Sequence, residues 1–272
     1  MTDNLLTLRS GSGSTTVFVH TASGLATGFR RLVGHLGGHG TVLALENLEA
    51  GPPERCSVAA LAADYWSQVE QHAGPLRLAG WSFGGPVAME MAALAERAGR
   101  TVEVLVLLDA AAPALLASRT PSPLQEMAAL FELDPGTLPT DAVASTTPEA
   151  LRVVAGALRA LPATRGVTPE DLEPFAEVYA WHLLAARGGP LLRAPSAPVV
   201  LVRARDEPGW YDAPEDLGWS EVLGRPPETL WAPGTHHGLM APRNVAALGA
   251  ILTPLLTAPS AVGSAPVPGG TP

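Results

Sequence analysis

The sequence predicts an α/β fold: a mostly parallel sheet covered by helices on both faces, with a helical insertion between two late strands. Three observations predict it. From Thr15 to Leu108, β-rich runs alternate with segments of helical period. The run Val102–Leu108 is apolar except for Glu103, as expected for a strand covered on both faces. And Gly80-Trp-Ser-Phe-Gly84 lies between a short buried strand and a helix, the context that the G-x-S-x-G turn requires.

The elements follow in order. Ser10-Gly-Ser-Gly-Ser14 is a flexible run that ends the first 14 residues. Thr15–Val19 is a strand rich in β-formers. It leads into His20-Thr-Ala-Ser-Gly24, a loop of small residues. Phe29, Leu32, Val33 and Leu36 repeat at helical spacing, and Thr41–Leu45 is the next strand. Val58–Glu70 reads as a helix with Ser57 as N-cap. Leu76, Leu78 and Ala79 form the strand before Ser82. Behind Ser82, Pro86 falls in a first helical turn, where its missing N–H costs little. Val87, Ala88, Met91, Leu94 and Ala95 continue that helix, and Gly99 is placed to cap it.

After Asp109 the pattern changes. Residues 113–190 lack a strong strand, and helical segments are expected over 122–133, 147–161 and 169–187, punctuated by prolines. An insertion of this length between two strands reads as a lid over the active site. Leu130, Phe131, Phe175, Tyr179, Trp181 and His182 would make the lid's own small core or its inner surface. Ala197–Arg203 is the next strand, followed by a Trp- and Pro-rich loop. Glu228–Trp231 is a last short strand, and Asn244–Leu256 a closing helix. Residues 258–272 are rich in Pro, Gly, Ser and Ala and read as a disordered tail or a linker remnant, so the expected domain is 1–257.

Composition narrows the function classes. Hydrophobic residues make up 47% and charged residues 16%, which is globular. The net charge of −9 disfavours nucleic acid and anionic membrane surfaces as partners. No apolar run reaches a membrane span, and Met1-Thr-Asp-Asn carries no secretory signal. One cysteine, Cys56, suits a reducing cytoplasm and reads as an ordinary loop residue. No metal-ligand spacing is present, and no bound cofactor is expected.

The chemistry centres on Ser82. A serine on a sharp strand-to-helix turn projects its hydroxyl clear of the sheet, and the amide of Phe83 faces the reaction centre. The hydroxyl needs a base, usually histidine, and the histidine needs a carboxylate to hold it and stabilise its cation. Asp109 ends the strand after the Ser82 helix, and His236 and His237 follow the last strand. Asp206 competes with Asp109, and His237 with His236; Asp206 would otherwise pair with Arg203 or Arg205. The loop 20–24 is read as the second half of an oxyanion hole, and His20 as a structural hydrogen bonder.

Four stretches, Phe18-Val-His-Thr-Ala-Ser-Gly24, Gly80-Trp-Ser-Phe-Gly-Gly85, Leu107-Leu-Asp109 and Pro233-Gly-Thr-His-His-Gly-Leu-Met240, carry a resemblance. The chain resembles the thioesterase domains of non-ribosomal peptide and polyketide synthases, within the α/β-hydrolase superfamily. The resemblance implies the α/β-hydrolase fold, a triad of Ser82, Asp109 and His236, and oxyanion donors at the amides of Ala22 and Phe83. It places His237 where an aromatic is usual. It also implies an acyl or peptidyl thioester substrate on the phosphopantetheine of a partner carrier protein, released by hydrolysis or cyclisation through an ester on Ser82. The chain itself holds no carrier domain, so a free-standing editing enzyme and an excised terminal domain are both open. Two alternatives share the same residues: a carboxylester hydrolase or lipase, and a non-catalytic binding protein of the same fold.

Overall fold

The computed structural model describes residues 4–118, 148–161, 164–187, 194–206 and 213–257. The expected helix over 122–133, Leu130, Phe131, Trp210 and the tail from 258 lie outside the described residues. The elements in chain order are β1 (Leu5–Arg9), β2 (Thr15–Val19), α1 (Thr27–Val33), β3 (Thr41–Leu45), α2 (Val58–Val69), β4 (Leu76–Trp81), α3 (Gly84–Arg97) and β5 (Val102–Leu108). Then come α4 (Pro113–Ser118), α5 (Pro148–Leu158), α6 (Pro169–Ala186), β6 (Val199–Ala204), α7 (Trp219–Leu223), β7 (Glu228–Ala232) and α8 (Val245–Thr257). A 3₁₀ turn covers Pro53–Arg55.

Among the described residues the strands make one seven-stranded sheet in the order β1-β3-β2-β4-β5-β6-β7. All neighbours run parallel except β1, which pairs antiparallel with β3. The chain leaves β2 to one side for β3 and returns on its other side for β4. That reversal opens a crevice at the carboxyl ends of β2 and β4, where such sheets bind ligands.

Strand alternation sorts the core into two layers. Val17, Val19, Leu43, Leu45, Leu78, Leu105, Leu107 and Leu201 face one way, against α2 and α3. Phe18, Val42, Ala44, Ala79, Val106, Leu108 and Val202 face the other, against Phe29 and Leu32 of α1 and Leu248 and Leu252 of α8. The period of two in the strands meets the 3.6 period of the helices, so each helix buries one stripe. Phe18 and Phe29 stack with ring centroids 4.7 Å apart.

Local signals explain the helix ends. The Ser57 side chain accepts from the Ala60 amide at 3.1 Å and caps α2. At the end of α3, Gly99 N–H donates to Glu96 O at 3.0 Å and Arg100 N–H to Ala95 O at 2.9 Å, the paired bonds of a Schellman motif. Thr168 and Asp171 close a capping box at the start of α6.

Three elements depart from expectation. β1 has its own alternation, with Leu5 packed on one core layer and Leu6 and Leu8 on the other, but its Leu-Leu-Thr-Leu-Arg sequence lacks the valines and aromatics that mark β2 and β3. α4 and α7 are single turns of helix, and α7 is held by the wholly buried Trp219 rather than by any periodic stripe. Among the described residues between β5 and β6 there are helices and no strand. The aromatics there divide: Phe175 packs on the small α5–α6 cluster, whereas Tyr179 and Trp181 join the main core layer of α2 and α3.

One ion pair ties the sheet to α8. Arg77 on β4 is buried; its Nε donates to Glu103 Oε2 at 2.6 Å and its Nη1 to the Leu256 carbonyl at 2.6 Å. Removing one partner strands a mostly buried charge, which costs about 3–5 kcal/mol. Arg77→Ala is therefore expected to lower stability by about 3 kcal/mol in urea unfolding, and adding Glu103→Ala is expected to recover part of that loss.

Candidate active site

Ser82 follows β4 with φ of +55°, in the left-handed region that non-glycine residues seldom occupy. Its amide donates to Leu108 O at 2.9 Å, and its carbonyl accepts from Gly85 N–H at 3.0 Å as α3 begins. The turn is possible because its flanks lack side chains. A Cβ on Gly80 would fall on the Gly84 carbonyl oxygen, and one on Gly84 would meet the Val19 and His20 carbonyls. The strained turn is thus pressed directly against the end of β2.

Asp109 follows β5, wholly buried, with φ of +43°. Its amide donates to Val202 O at 2.7 Å, and its Oδ1 accepts from Ala204 N–H at 2.9 Å. β6 therefore holds both backbone and carboxylate. Oδ2 is left to accept from His236 Nδ1–H at 2.7 Å. A carboxylate only accepts, so Nδ1 carries the imidazole proton and Nε2 offers its lone pair. Nε2 lies 2.9 Å from Ser82 Oγ and takes the hydroxyl hydrogen bond. Ser82, His236 and Asp109 are thus brought into one hydrogen-bonded chain from three loops at the carboxyl edge of the sheet. In this arrangement the imidazole is oriented to accept the serine proton, and the buried carboxylate faces the cation that results.

The two competing residues are placed elsewhere. Asp206 Oδ2 accepts from Gly234 N–H at 2.9 Å, and Asp206 N–H donates to Gly234 O at 3.0 Å. Asp206 fastens the loop that carries His236 and, among the described residues, makes neither expected arginine pair. The His237 ring stands edge-on to His236, centroids 4.8 Å apart, and its Nδ1 is buried with no partner among the described residues. Burial, with His236 beside it, pushes the His237 pKa down to about 3.

Around Ala22, His20 makes structural hydrogen bonds, and His182 adds a contact that the sequence did not indicate. His20 Nδ1–H donates to the Thr21 carbonyl at 2.6 Å, and His20 Nε2 accepts from Tyr65 Oη–H at 2.6 Å. His182, from α6, donates from Nδ1 to the Ala22 carbonyl at 2.9 Å, while its Nε2 accepts from Asn47 Nδ2 at 3.2 Å. Phe83, wedged beneath, has its ring centroid 5.0 Å from that of His182. His182 sits among lid aromatics in the sequence, and no spacing links it to a loop 160 residues away. Trp219, within the Trp- and Pro-rich stretch after β6, donates from Nε1–H to Ala110 O at 2.6 Å and supports the turn after Asp109.

Beside His236 opens a cavity of about 250 Å³, walled by Thr21, Ser23, Arg31, Trp81, Phe175 and His237 among others. Among the described residues no group of acidic, histidine or cysteine side chains is placed to hold a metal ion. No helix among them is long and apolar enough to cross a membrane.

Burial lowers the pKa of His20 to about 4 and of His182 to about 3. These imidazoles and His237 stay neutral in the fold, but in the unfolded chain they take protons below about 6.5. The unfolded state then binds more protons, so stability falls as pH drops from about 6.5 towards 4. Asp171 and Asp216, whose carboxyls are held below the usual range by backbone and side-chain hydrogen bonds, lose their stabilising contribution only below about pH 4. Between pH 6.5 and 5 the loss is expected to be on the order of 1–2 kcal/mol per buried imidazole. Urea unfolding at pH 7 and pH 5 measures it, and His237→Phe is expected to shrink the difference by about a third.

The chain is similar to known proteins. Residues 15–251 match the family model described as "Thioesterase domain". The chain is 29% identical over 264 residues to a dimodular nonribosomal peptide synthase of Bacillus subtilis (strain 168), covering 92% of this chain and 11% of that protein. It thus spans about a tenth of that relative's length. Among solved structures, it resembles holo-AB3403, a four-domain nonribosomal peptide synthetase, with a TM-score of 0.76 at 21% identity, over 94% of this chain and 20% of that one. It also resembles the Vlm2 thioesterase domain bound with a dodecadepsipeptide, with a TM-score of 0.69 at 20% identity, over 94% and 99% of the two chains. At that identity the structural likeness speaks for the α/β-hydrolase fold, whereas the family match spans the sheet from β2 into α8. The chain belongs to the thioesterase domain family.

Proposed function

We propose that this chain releases an acyl or peptidyl group from the phosphopantetheine thioester of a carrier protein in natural-product biosynthesis. Membership in the thioesterase family implies hydrolase activity. The Bacillus relative and the Vlm2 domain suggest a peptidyl or depsipeptidyl chain as cargo. The observation that carries the mechanism is the continuous hydrogen-bonded path Ser82 Oγ–His236–Asp109, at 2.9 and 2.7 Å.

His236 Nε2 takes the Ser82 proton as Oγ attacks the thioester carbonyl. The tetrahedral oxyanion receives hydrogen bonds from the amides of Ala22 and Phe83, each worth about 3 kcal/mol. His236 returns the proton to the departing pantetheine thiol, leaving an ester on Ser82. Water, or an amine or hydroxyl within the acyl chain, then attacks that ester with His236 again as base, giving an acid or a ring. The segment between β5 and β6 acts as a lid, with Phe175 of α6 on the wall of the cavity beside His236. Carrier and acyl-pantetheine are substrates here, and no bound cofactor takes part.

A panel of acyl- and peptidyl-pantetheine thioesters, with products weighed by mass spectrometry, tests this reading. Turnover of thioesters is expected to exceed that of simple carboxylic esters of the same acyl group. Preference for the simple esters favours a carboxylester hydrolase. A fluorophosphonate is expected to add to Ser82 in the folded chain, and absence of the adduct favours a binding protein. Ser82→Ala and His236→Ala are each expected to lower kcat by at least about 10⁴-fold, and Asp109→Asn by roughly 10³–10⁴-fold. His237→Phe is expected to keep kcat within about tenfold, which separates the two neighbouring histidines.

A further inference from the structure

We propose that His20 and His182 are positioning residues for acyl transfer, which hold the two peptide groups on either side of Ala22 so that the Ala22 amide presents its N–H to the oxyanion. The inference rests on the reading of Ala22 as an oxyanion donor. The amide that donates is the Thr21–Ala22 peptide. Its carbonyl accepts from His20 Nδ1–H at 2.6 Å and from Gly24 N–H at 3.0 Å. In a trans peptide N–H and C=O point in opposite directions, so two bonds at the carbonyl fix where the N–H points. They also polarise the amide and strengthen it as a donor. The next carbonyl, that of Ala22, accepts from His182 Nδ1–H at 2.9 Å, which prevents rotation about the residue between the two peptides. Among the described residues, no hydrogen bond is made by the Ala22 amide itself.

The network allows one proton arrangement. Both carbonyls accept, so both imidazoles carry hydrogen on Nδ1. Both Nε2 atoms are then acceptors, and each has a donor: Tyr65 Oη–H for His20 and Asn47 Nδ2–H for His182. Asn47 is itself fastened to the loop through its N–H to Gly24 O at 2.9 Å. The rings stand 4.8 Å apart, so a proton on both is strongly disfavoured, and burial keeps both neutral at ordinary pH. A fully satisfied buried network of this kind specifies one geometry.

The test compares His182→Leu, which removes the donor, with His182→Asn, whose amide nitrogen sits near the place of Nδ1. Active sites are counted with a fluorophosphonate, and kcat and KM are measured on an acyl-pantetheine thioester. In His182→Leu, kcat is expected to fall at least tenfold with KM within twofold, and inhibition by an alkylboronic acid is expected to weaken in proportion. His182→Asn is expected to restore kcat to within about threefold of the parent. The proposal is overturned if His182→Leu keeps kcat within twofold, or if His182→Asn loses as much as His182→Leu. Tyr65→Phe, which deletes only the donor to His20, gives a second reading should His182→Leu not fold. It is expected to cut kcat at least threefold at constant KM, and an unchanged kcat overturns the role of His20. If the parent labels at Ser82 yet turns over no thioester, the proposed function fails. The ratio of labelling rates between variant and parent then still decides the positioning role.

Discussion

The site depends on a backbone approach too close for any side chain. Between the end of β4 and the start of α3, Gly80 and Gly84 bring main chain against main chain, and Ser82 is held in a left-handed conformation between them. The close contact of Gly84 with the Val19 and His20 carbonyls is the same contact that sets the distance from Ser82 to the loop after β2. Strain of order 1–3 kcal/mol at one residue is tolerated because the sheet on both sides over-determines it. β4 lies centrally, hydrogen-bonded to β2 and β5, so loops from either side converge on one hydroxyl.

Electrostatics divide the neighbourhood by distance from that hydroxyl. His236 alone has a carboxylate partner, and Asp109 has no solvent exposure. The buried His20 and His182 and the half-buried His237 have no acidic partner among the described residues and are kept neutral by desolvation of their rings. One imidazole can therefore take up charge during a reaction cycle while its neighbours keep theirs fixed as dipoles. Fixed dipoles need no reorganisation when charge develops, which is where such sites gain most. The cost is borne in acid, where the same neutral rings oppose the folded state.

Much of this was legible in the chain because it rests on local rules. The elbow, the Ser57 cap, the Gly99 terminus and the alternation of strand and helix each follow from a few adjacent residues. The order serine, acid, histidine was also readable, since each follows a strand. Choosing between Asp109 and Asp206 was not a local matter. Both follow strands, and only the register of β5 on β6, which puts the Ala204 amide on Asp109 Oδ1, distinguishes them. β1 was hidden by its leucine-rich composition, and α7 by resting on one buried tryptophan. The His182–Ala22 contact was beyond sequence reasoning altogether. It depends on α6 packing Tyr179 and Ala185 into the main core, and that placement has no signature in the helix itself.

The attachment of α6 bears on how such a scaffold is re-engineered. The stretch between β5 and β6 reaches the loop after β2 through a side chain. His182, on α6, donates to the Ala22 carbonyl at 2.9 Å. A chimera that receives a foreign segment here without a histidine at the equivalent point would lose that bond. Swaps made in this scaffold should keep His182 with the recipient, because the shape of the loop after β2 is written partly in α6.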